Sequence, residues 1–162
     1  ALVFDMRNNG GGYLDELTEM LDFLLPEGPI FRMKDRAGNE TVTESDADCV
    51  ELPMAVLVNQ DTYSAAEIFA AELQEKVGGY IVGVPTSGKG YSQQTYPLFN
   101  GGAVGLSTNT YYTGEGVSLI GTGVSLDREV ALSDEDAALL LAGQLPYDQD
   151  EQLQAALELL PA

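Results

Sequence analysis

Ser64 and Lys89 are the side chains whose types and settings could carry nucleophilic chemistry. Ser64 opens Ser64-Ala65-Ala66-Glu67, at the head of a run of strong helix formers from Ala65 to Val77. That spacing fits a capping box, in which the serine hydroxyl accepts from an early helix N–H and the glutamate reaches back to the serine. The same position suits a nucleophile, because a helix N-terminus presents unpaired N–H groups and positive potential to a developing oxyanion. Lys89 lies in Pro85-Thr86-Ser87-Gly88-Lys89-Gly90, a loop of small residues directly after an apolar run. Gly83 to Gly90 nearly spells a phosphate-binding loop. Position 90, however, is glycine where a magnesium-binding Ser or Thr belongs, and a strand-like alternation follows where a helix should begin. An ordinary exposed turn lysine is the plainer alternative. For the two to act together, the lysine must be neutral to take the serine proton, a state favoured by apolar surroundings without a carboxylate partner. No Asp or Glu occurs between Gly83 and Asn100.

Composition narrows the field around that pair. The 162 residues include no His, so Ser-His-Asp and Cys-His sites and His-bearing zinc sites are excluded. Cys49 is the only cysteine and can form neither an internal disulfide nor a Cys-rich metal cluster. A base for nucleophilic catalysis must then be Asp, Glu or one of three lysines, Lys34, Lys76 and Lys89. With 7 Lys+Arg against 26 Asp+Glu, the net charge of −19 argues against nucleic acid as a partner and disfavours anionic membrane surfaces. Solubility is the simplest account of that acidity. A third element is Asn8-Asn9-Gly10-Gly11-Gly12. It is either a tight strand-to-helix connection or a set of backbone N–H donors able to approach a ligand closely. Asp5 and Arg7, two apart, read as a local salt bridge.

The elements that must position these groups follow from periodicity. Ala1 to Phe4 is a buried strand ending at Asp5, and after the glycine turn Leu14, Leu17, Leu21, Leu24 and Leu25 mark an amphipathic helix stopped by Pro26. Ile30 to Arg36 and Glu40 to Ser45 flank Ala37-Gly38-Asn39 as a hairpin. Ala55 to Val58 is a strand, Ala65 to Val77 a helix ended by Gly78-Gly79, and Tyr80 to Val84 another strand. Gln94 to Thr113 alternates about Asn100-Gly101, a second hairpin. Helices return near Asp134 to Ala142 and Glu151 to Leu160, where Ala137 to Leu141 and Leu153 to Leu160 read as core-facing stripes. The class is α/β with a mixed sheet. Neither a signal peptide nor an 18-residue apolar run is present. The chain opens inside an apolar run without Met, as expected of an excised domain.

Order and spacing together resemble the carboxyl-terminal processing peptidases, or tail-specific proteases. Asp5-Met6-Arg7-Asn8-Asn9-Gly10-Gly11-Gly12 resembles their Asp-x-Arg-x-Asn-x-Gly-Gly signature, and Tyr63-Ser64-Ala65-Ala66-Glu67 resembles their nucleophile segment. Gly88-Lys89-Gly90-Tyr91-Ser92-Gln93 resembles their Gly-Lys-Gly-x-x-Gln segment, with the family's spacing from serine to lysine to glutamine. Gly121-Thr122-Gly123-Val124 with Asp127 resembles a later Gly-x-Gly-Val-x-Pro-Asp element, Leu126 standing where Pro is usual. Gly10 also stands where many members have Pro. The likeness covers most of residues 1–131, leaving 132–162 as a helical C-terminal extension.

The resemblance implies a crotonase-like α/β fold with a mixed sheet and flanking helices. It implies a serine endopeptidase with Ser64 as nucleophile, Lys89 as general base and Gln93 orienting that lysine. The amides of Ala65 and of Gly11 or Gly12 would form the oxyanion hole, with no metal or organic cofactor. Substrates would be proteins or peptides with apolar C-terminal residues. The family also carries an N-terminal core segment and a PDZ domain outside this chain, and the parent would be bacterial, working in the periplasm or at the cell surface, anchored to a membrane. The rival class is a catalytically silent relative that binds a peptide or an apolar ligand in the same groove.

Overall fold

The computed structural model describes residues 1–161. Its strands segregate by direction into two four-stranded sheets. The first is parallel: β1 (Leu2–Asp5), β4 (Met54–Val58), β5 (Tyr80–Gly83) and the two-residue β8 (Arg128–Glu129), hydrogen-bonded in that order. The second is antiparallel, with the order β3 (Glu40–Ser45), β2 (Gly28–Asp35), β7 (Ala103–Tyr112), β6 (Tyr91–Pro97). A mixed strand complement is thus present, split between sheets. β8 leaves no signal in the sequence because two residues show no periodicity.

β4 is apolar throughout because both faces of the parallel sheet are covered. Met54, Val56 and Val58 face α2 (Ala65–Val77), where Ile68, Phe69 and Leu73 are buried with Ile81. Ala55 and Leu57 face the opposite side with Val82, covered by Ala155 and Ala156 of α4 (Glu151–Leu159). The period of two along one strand therefore assigns α2 and α4 to opposite layers. α1 (Leu14–Leu24) buries Leu17, Leu21 and Leu24, and Pro26 follows its last turn. The hairpins form about the turns expected of them, β2–β3 around Ala37-Gly38-Asn39 and β6–β7 around Asn100-Gly101, with β6 starting at Tyr91.

One stripe does not behave as the sequence implies. α3 (Asp134–Leu141) has no buried residue, and Leu141 is 74% exposed. Three consecutive leucines spread over the circumference of an eight-residue helix and cannot share one face. The stripe of α4 is buried as expected, through its alanines.

Candidate active site

β4 leads through Asn59-Gln60-Asp61-Thr62-Tyr63 into Ser64 at the head of α2. Thr62 is fully buried; its hydroxyl donates to the Met6 carbonyl at 2.7 Å and accepts from Asn59 N–H at 2.9 Å, which fixes the turn. Ser64 itself sits at φ 63°, ψ −126°, backbone that L-residues avoid and that costs about 1–3 kcal/mol unless its surroundings enforce it. Those surroundings are identifiable. Ser64 N–H donates to Glu67 Oε2 at 3.0 Å, the reciprocal arm of the capping box, while Glu67 N–H bonds the Ser64 carbonyl at 3.0 Å.

Glu67 does more than cap. Fully buried, it also accepts from the Thr86 hydroxyl at 2.7 Å, from Gly88 N–H at 2.6 Å and from Lys89 N–H at 3.0 Å. One carboxylate therefore joins the Ser64 turn to the Lys89 loop. The loop from Gly83 to Asn100 lacks an acid of its own, and α2 supplies one to its backbone. The Lys89 ammonium makes no ion pair among the described residues; Nζ lies 5.7 Å from the centroid of the Tyr63 ring. Gly121-Thr122-Gly123 closes over the loop, Gly121 N–H bonding the Gly88 carbonyl at 2.9 Å, and a Cβ at Gly123 would lie 2.4 Å from Thr86 Oγ1. Beyond Gly90 the chain enters β6, not a helix, so no phosphate-loop geometry arises.

The glycine turn packs against the Tyr63–Ala65 segment. Tyr63 N–H donates to the Asn9 carbonyl at 3.1 Å, and Asn8 and Asn59 exchange hydrogen bonds at 2.9 and 3.0 Å. Gly11, at φ 78°, approaches so closely that a Cβ would stand 2.7 Å from Ala65 N. Its own N–H is taken by Asn9 Oδ1 at 2.9 Å. Among the described residues, the N–H groups of Gly12 and Ala65 meet no acceptor. Gly10 has no side chain where the Tyr63 hydroxyl lies, 2.6 Å from the place of a Cβ.

Ser64, Ala65, Gly12, Lys89 and Gln93 line one cavity of about 450 Å³, walled by Leu17, Phe31, Met33, Ile68 and Tyr111. A cavity of about 600 Å³ against α3 and α4 holds none of these five. Gln93 faces the same space as Lys89, yet no hydrogen bond among the described residues joins them, nor Ser64 Oγ to Lys89 Nζ. Tyr111 leaves no distinguishing mark within the β7 alternation. Its hydroxyl donates to the Lys89 carbonyl at 2.6 Å, and its ring packs 6.0 Å from that of Phe31. Burial pushes its phenol up, the Ser64 side chain beside it working the other way. Asp5 and Arg7 form the expected pair at 2.6 Å, and Arg7 also reaches Asp150 at 2.8 Å. No group of three His, Cys, Asp or Glu side chains among the described residues is placed to hold a metal ion.

A serine strained at a helix N-terminus, unpaired amides and a lysine around one apolar cavity could support acyl transfer. Several known proteins are similar to this chain. The chain is 33% identical over 159 residues to the carboxyl-terminal-processing protease of Synechocystis sp., a match that covers 98% of this chain and 36% of that protein. It is 33% identical over 149 residues to the chloroplastic C-terminal processing peptidase of Tetradesmus obliquus, covering 88% and 32%. Among solved structures, the photosystem II D1 C-terminal processing protease superposes with a TM-score of 0.75 at 32% identity, over 94% of this chain and 39% of that one. The chain thus spans about a third of the length of the relatives it matches. The sequence pattern of Peptidase family S41 matches residues 1–130, and on that match and these likenesses the chain belongs to peptidase family S41.

Proposed function

We propose that this chain carries the reaction centre of a serine endopeptidase that cuts protein substrates near their C-termini through a Ser64–Lys89 dyad. The observation that carries this reading is the shared cavity: Ser64 at the head of α2, Lys89, Gln93 and the unpaired amides of Ala65 and Gly12 converge on it. Lys89 in its neutral form takes the Ser64 proton as the hydroxyl attacks the scissile carbonyl, then passes it to the leaving amine; water hydrolyses the acyl-enzyme. The Ala65 and Gly12 amides receive the oxyanion. Of the two turn glycines, Gly12 is favoured because the Gly11 amide is occupied by Asn9. Gln93 orients Lys89 once the lysine swings from the Tyr63 ring toward Ser64. The apolar walls, Phe31, Met33 and Ile68 among them, suit substrates with apolar residues beside the scissile bond.

Residues 1–131 form part of the catalytic domain and 132–162 its helical extension. The N-terminal core segment and a PDZ domain that engages substrate tails belong to the remainder of the full-length protein. Its place of work is outside the cytosol, in line with the chloroplastic and bacterial relatives, with the full-length protein anchored to a membrane; no described helix is long and apolar enough to cross one. A catalytically silent relative holding a peptide or apolar ligand is the second reading, and one observation favours it: Lys89 Nζ lies 5.7 Å from the centroid of the Tyr63 ring and makes no hydrogen bond to Ser64 Oγ among the described residues. A fluorophosphonate probe decides between them. In the full-length protein it should label Ser64, with labelling and proteolysis abolished in folded Ser64→Ala and Lys89→Ala variants; an unlabelled wild type, or cleavage retained by Ser64→Ala, overturns the dyad.

A further inference from the structure

Arg7 is the last residue before the glycine turn, and its guanidinium is only 3% exposed. Its five N–H donors are all used. Nε donates to Asp5 Oδ1 at 2.8 Å and Nη2 to Asp5 Oδ2 at 2.6 Å. Nη2 also reaches Asp150 Oδ2 at 2.8 Å, while Nη1 donates to Asp150 Oδ1 at 3.0 Å and to Gln152 Oε1 at 3.0 Å. Asp150, 4% exposed, is the N-cap of α4 and accepts from Leu153 N–H at 3.1 Å. Gln152 passes its own amide N–H to the Val130 carbonyl at 2.7 Å, tying the same helix turn to the chain just beyond β8. A residue more than 140 positions away in sequence thus completes the coordination of the arginine from which the turn departs.

Helix docking alone does not call for this arrangement. α4 already covers the sheet with Ala155 and Ala156, and a buried ion pair adds little net stability over apolar packing of the same volume. What the ion pair does fix is direction. Arg7 is followed by Asn8 at φ 60°, so the chain reverses immediately after the clamped residue; Gly11 is brought against Ala65, and Gly12 lines the same cavity as Ser64 and Ala65. We infer that Asp150 and Gln152 are positioning residues of the reaction centre: by saturating Arg7 they hold the Asn8–Gly12 turn, and with it the Gly12 amide, in register with Ser64 and Ala65. This rests on the Ser64–Lys89 reading, in which the Gly12 amide receives the oxyanion. The C-terminal extension is then a working part of the site, carried on a different layer from the nucleophile.

The test uses Asp150→Asn in the full-length protein. Asparagine keeps an oxygen for the α4 cap and removes the charge that Arg7 requires. Gln152→Leu leaves the ion pair intact and removes the neutral acceptor along with the bond to the Val130 carbonyl; Glu158→Gln, on the exposed side of α4, is the control for helix docking. Cleavage of a peptide with apolar C-terminal residues, the rate of fluorophosphonate labelling and hydrogen exchange of the segment 6–13 are measured together. In Asp150→Asn, kcat and labelling rate should fall together by about ten- to a hundredfold, as small misplacements of reacting groups do, with KM within about twofold. Exchange in 6–13 should rise while that of the β2–β3 hairpin stays unchanged. Gln152→Leu should move the same quantities less, and Glu158→Gln none of them. Wild-type exchange in 6–13, or wild-type kcat, in a folded Asp150→Asn variant overturns the inference; if that variant does not fold, Gln152→Leu decides on the same readouts. Ser64→Ala measured alongside separates the two claims. Cleavage retained by Ser64→Ala would defeat the peptidase reading, whereas the exchange of 6–13 reports on the clamp whether or not the protein is a peptidase.

Discussion

Four donors converge on the Glu67 carboxylate, one from the Ser64 backbone and three from the Lys89 loop. A buried acceptor in this position cannot be replaced by an amide without conflict, because one of the two oxygens becomes an N–H₂ facing donors. Glu67→Gln is therefore expected to destabilise the fold by about 2–3 kcal/mol, the cost of leaving buried donors unpaired. It should also slow fluorophosphonate labelling of Ser64, because the φ 63° backbone loses the hydrogen bond that helps to hold it. Urea denaturation and labelling kinetics on the same sample check both; an unchanged midpoint would mean that the four contacts are individually dispensable. Glu67 was half legible. Its spacing from Ser64 predicts the capping arm, which is a local property of i and i+3. The Thr86, Gly88 and Lys89 contacts cross from α2 to a loop about 20 residues away, and no sequence period encodes that.

Among elements, the turn between β1 and α1 offers the sharpest contrast. Gly11 and Gly12 are adjacent and equally plausible in sequence as donors to an oxyanion, and the structure separates them. At Gly11 a methyl group would stand 2.7 Å from Ala65 N and 2.8 Å from the Tyr63 carbonyl, on backbone with φ 78°. At Gly12 it would meet nothing within 4 Å, and the φ is ordinary. Gly11→Ala should lower the melting temperature by several degrees, the clash adding to about 1–2 kcal/mol of left-handed strain. Gly12→Ala should melt within a degree or two of wild type. Differential scanning calorimetry of the pair checks this, and equal melting temperatures would mean that the turn is not pressed against α2 as described. The elements themselves were legible wherever periodicity or punctuation was strong: α2 from Ala65 to Val77, the stop at Pro26 and both hairpin turns. The split into two sheets was not, because strand direction depends on which partner a strand meets. Arg7 makes the same point from the other side. Its bond to Asp5 lies within two residues and was expected, while its bonds to Asp150 and Gln152 close a gap that only the folded layers bring together.

At the scale of the molecule, an excess of carboxylates makes burial of any of them a liability as pH rises. Glu72, five residues beyond Glu67 on α2, is fully buried; Oε1 accepts from Gly114 N–H and Oε2 has no partner among the described residues. Burial pushes its pKa up from the ordinary 4.5 to about 8, the Gly114 N–H only partly opposing it. The folded state therefore keeps a proton that the unfolded chain releases above about pH 4.5. Stability from this group is complete below that pH, declines as pH rises, and is exhausted above about pH 8. Asp150 acts in the opposite sense. Burial would raise its pKa, but the hydrogen bonds and charge of Arg7 together with the Leu153 and Gln152 N–H groups outweigh it and hold the carboxyl low, so its contribution is present above the ordinary aspartate range and lost on acidification. The two set opposing slopes on either side of weakly acidic pH. Glu72→Gln isolates the first. The glutamine oxygen still accepts from Gly114, and its N–H₂ takes the place of the protonated Oε2 without titrating. Relative to wild type, Glu72→Gln should gain stability steadily from about pH 5 to pH 8 and hold a constant advantage above that, as read from urea midpoints at fixed ionic strength. A wild-type–variant difference that stays flat across this range would show that the Glu72 carboxyl ionises in the folded protein as readily as in the unfolded chain, and that the alkaline loss of stability belongs to the −19 charge as a whole.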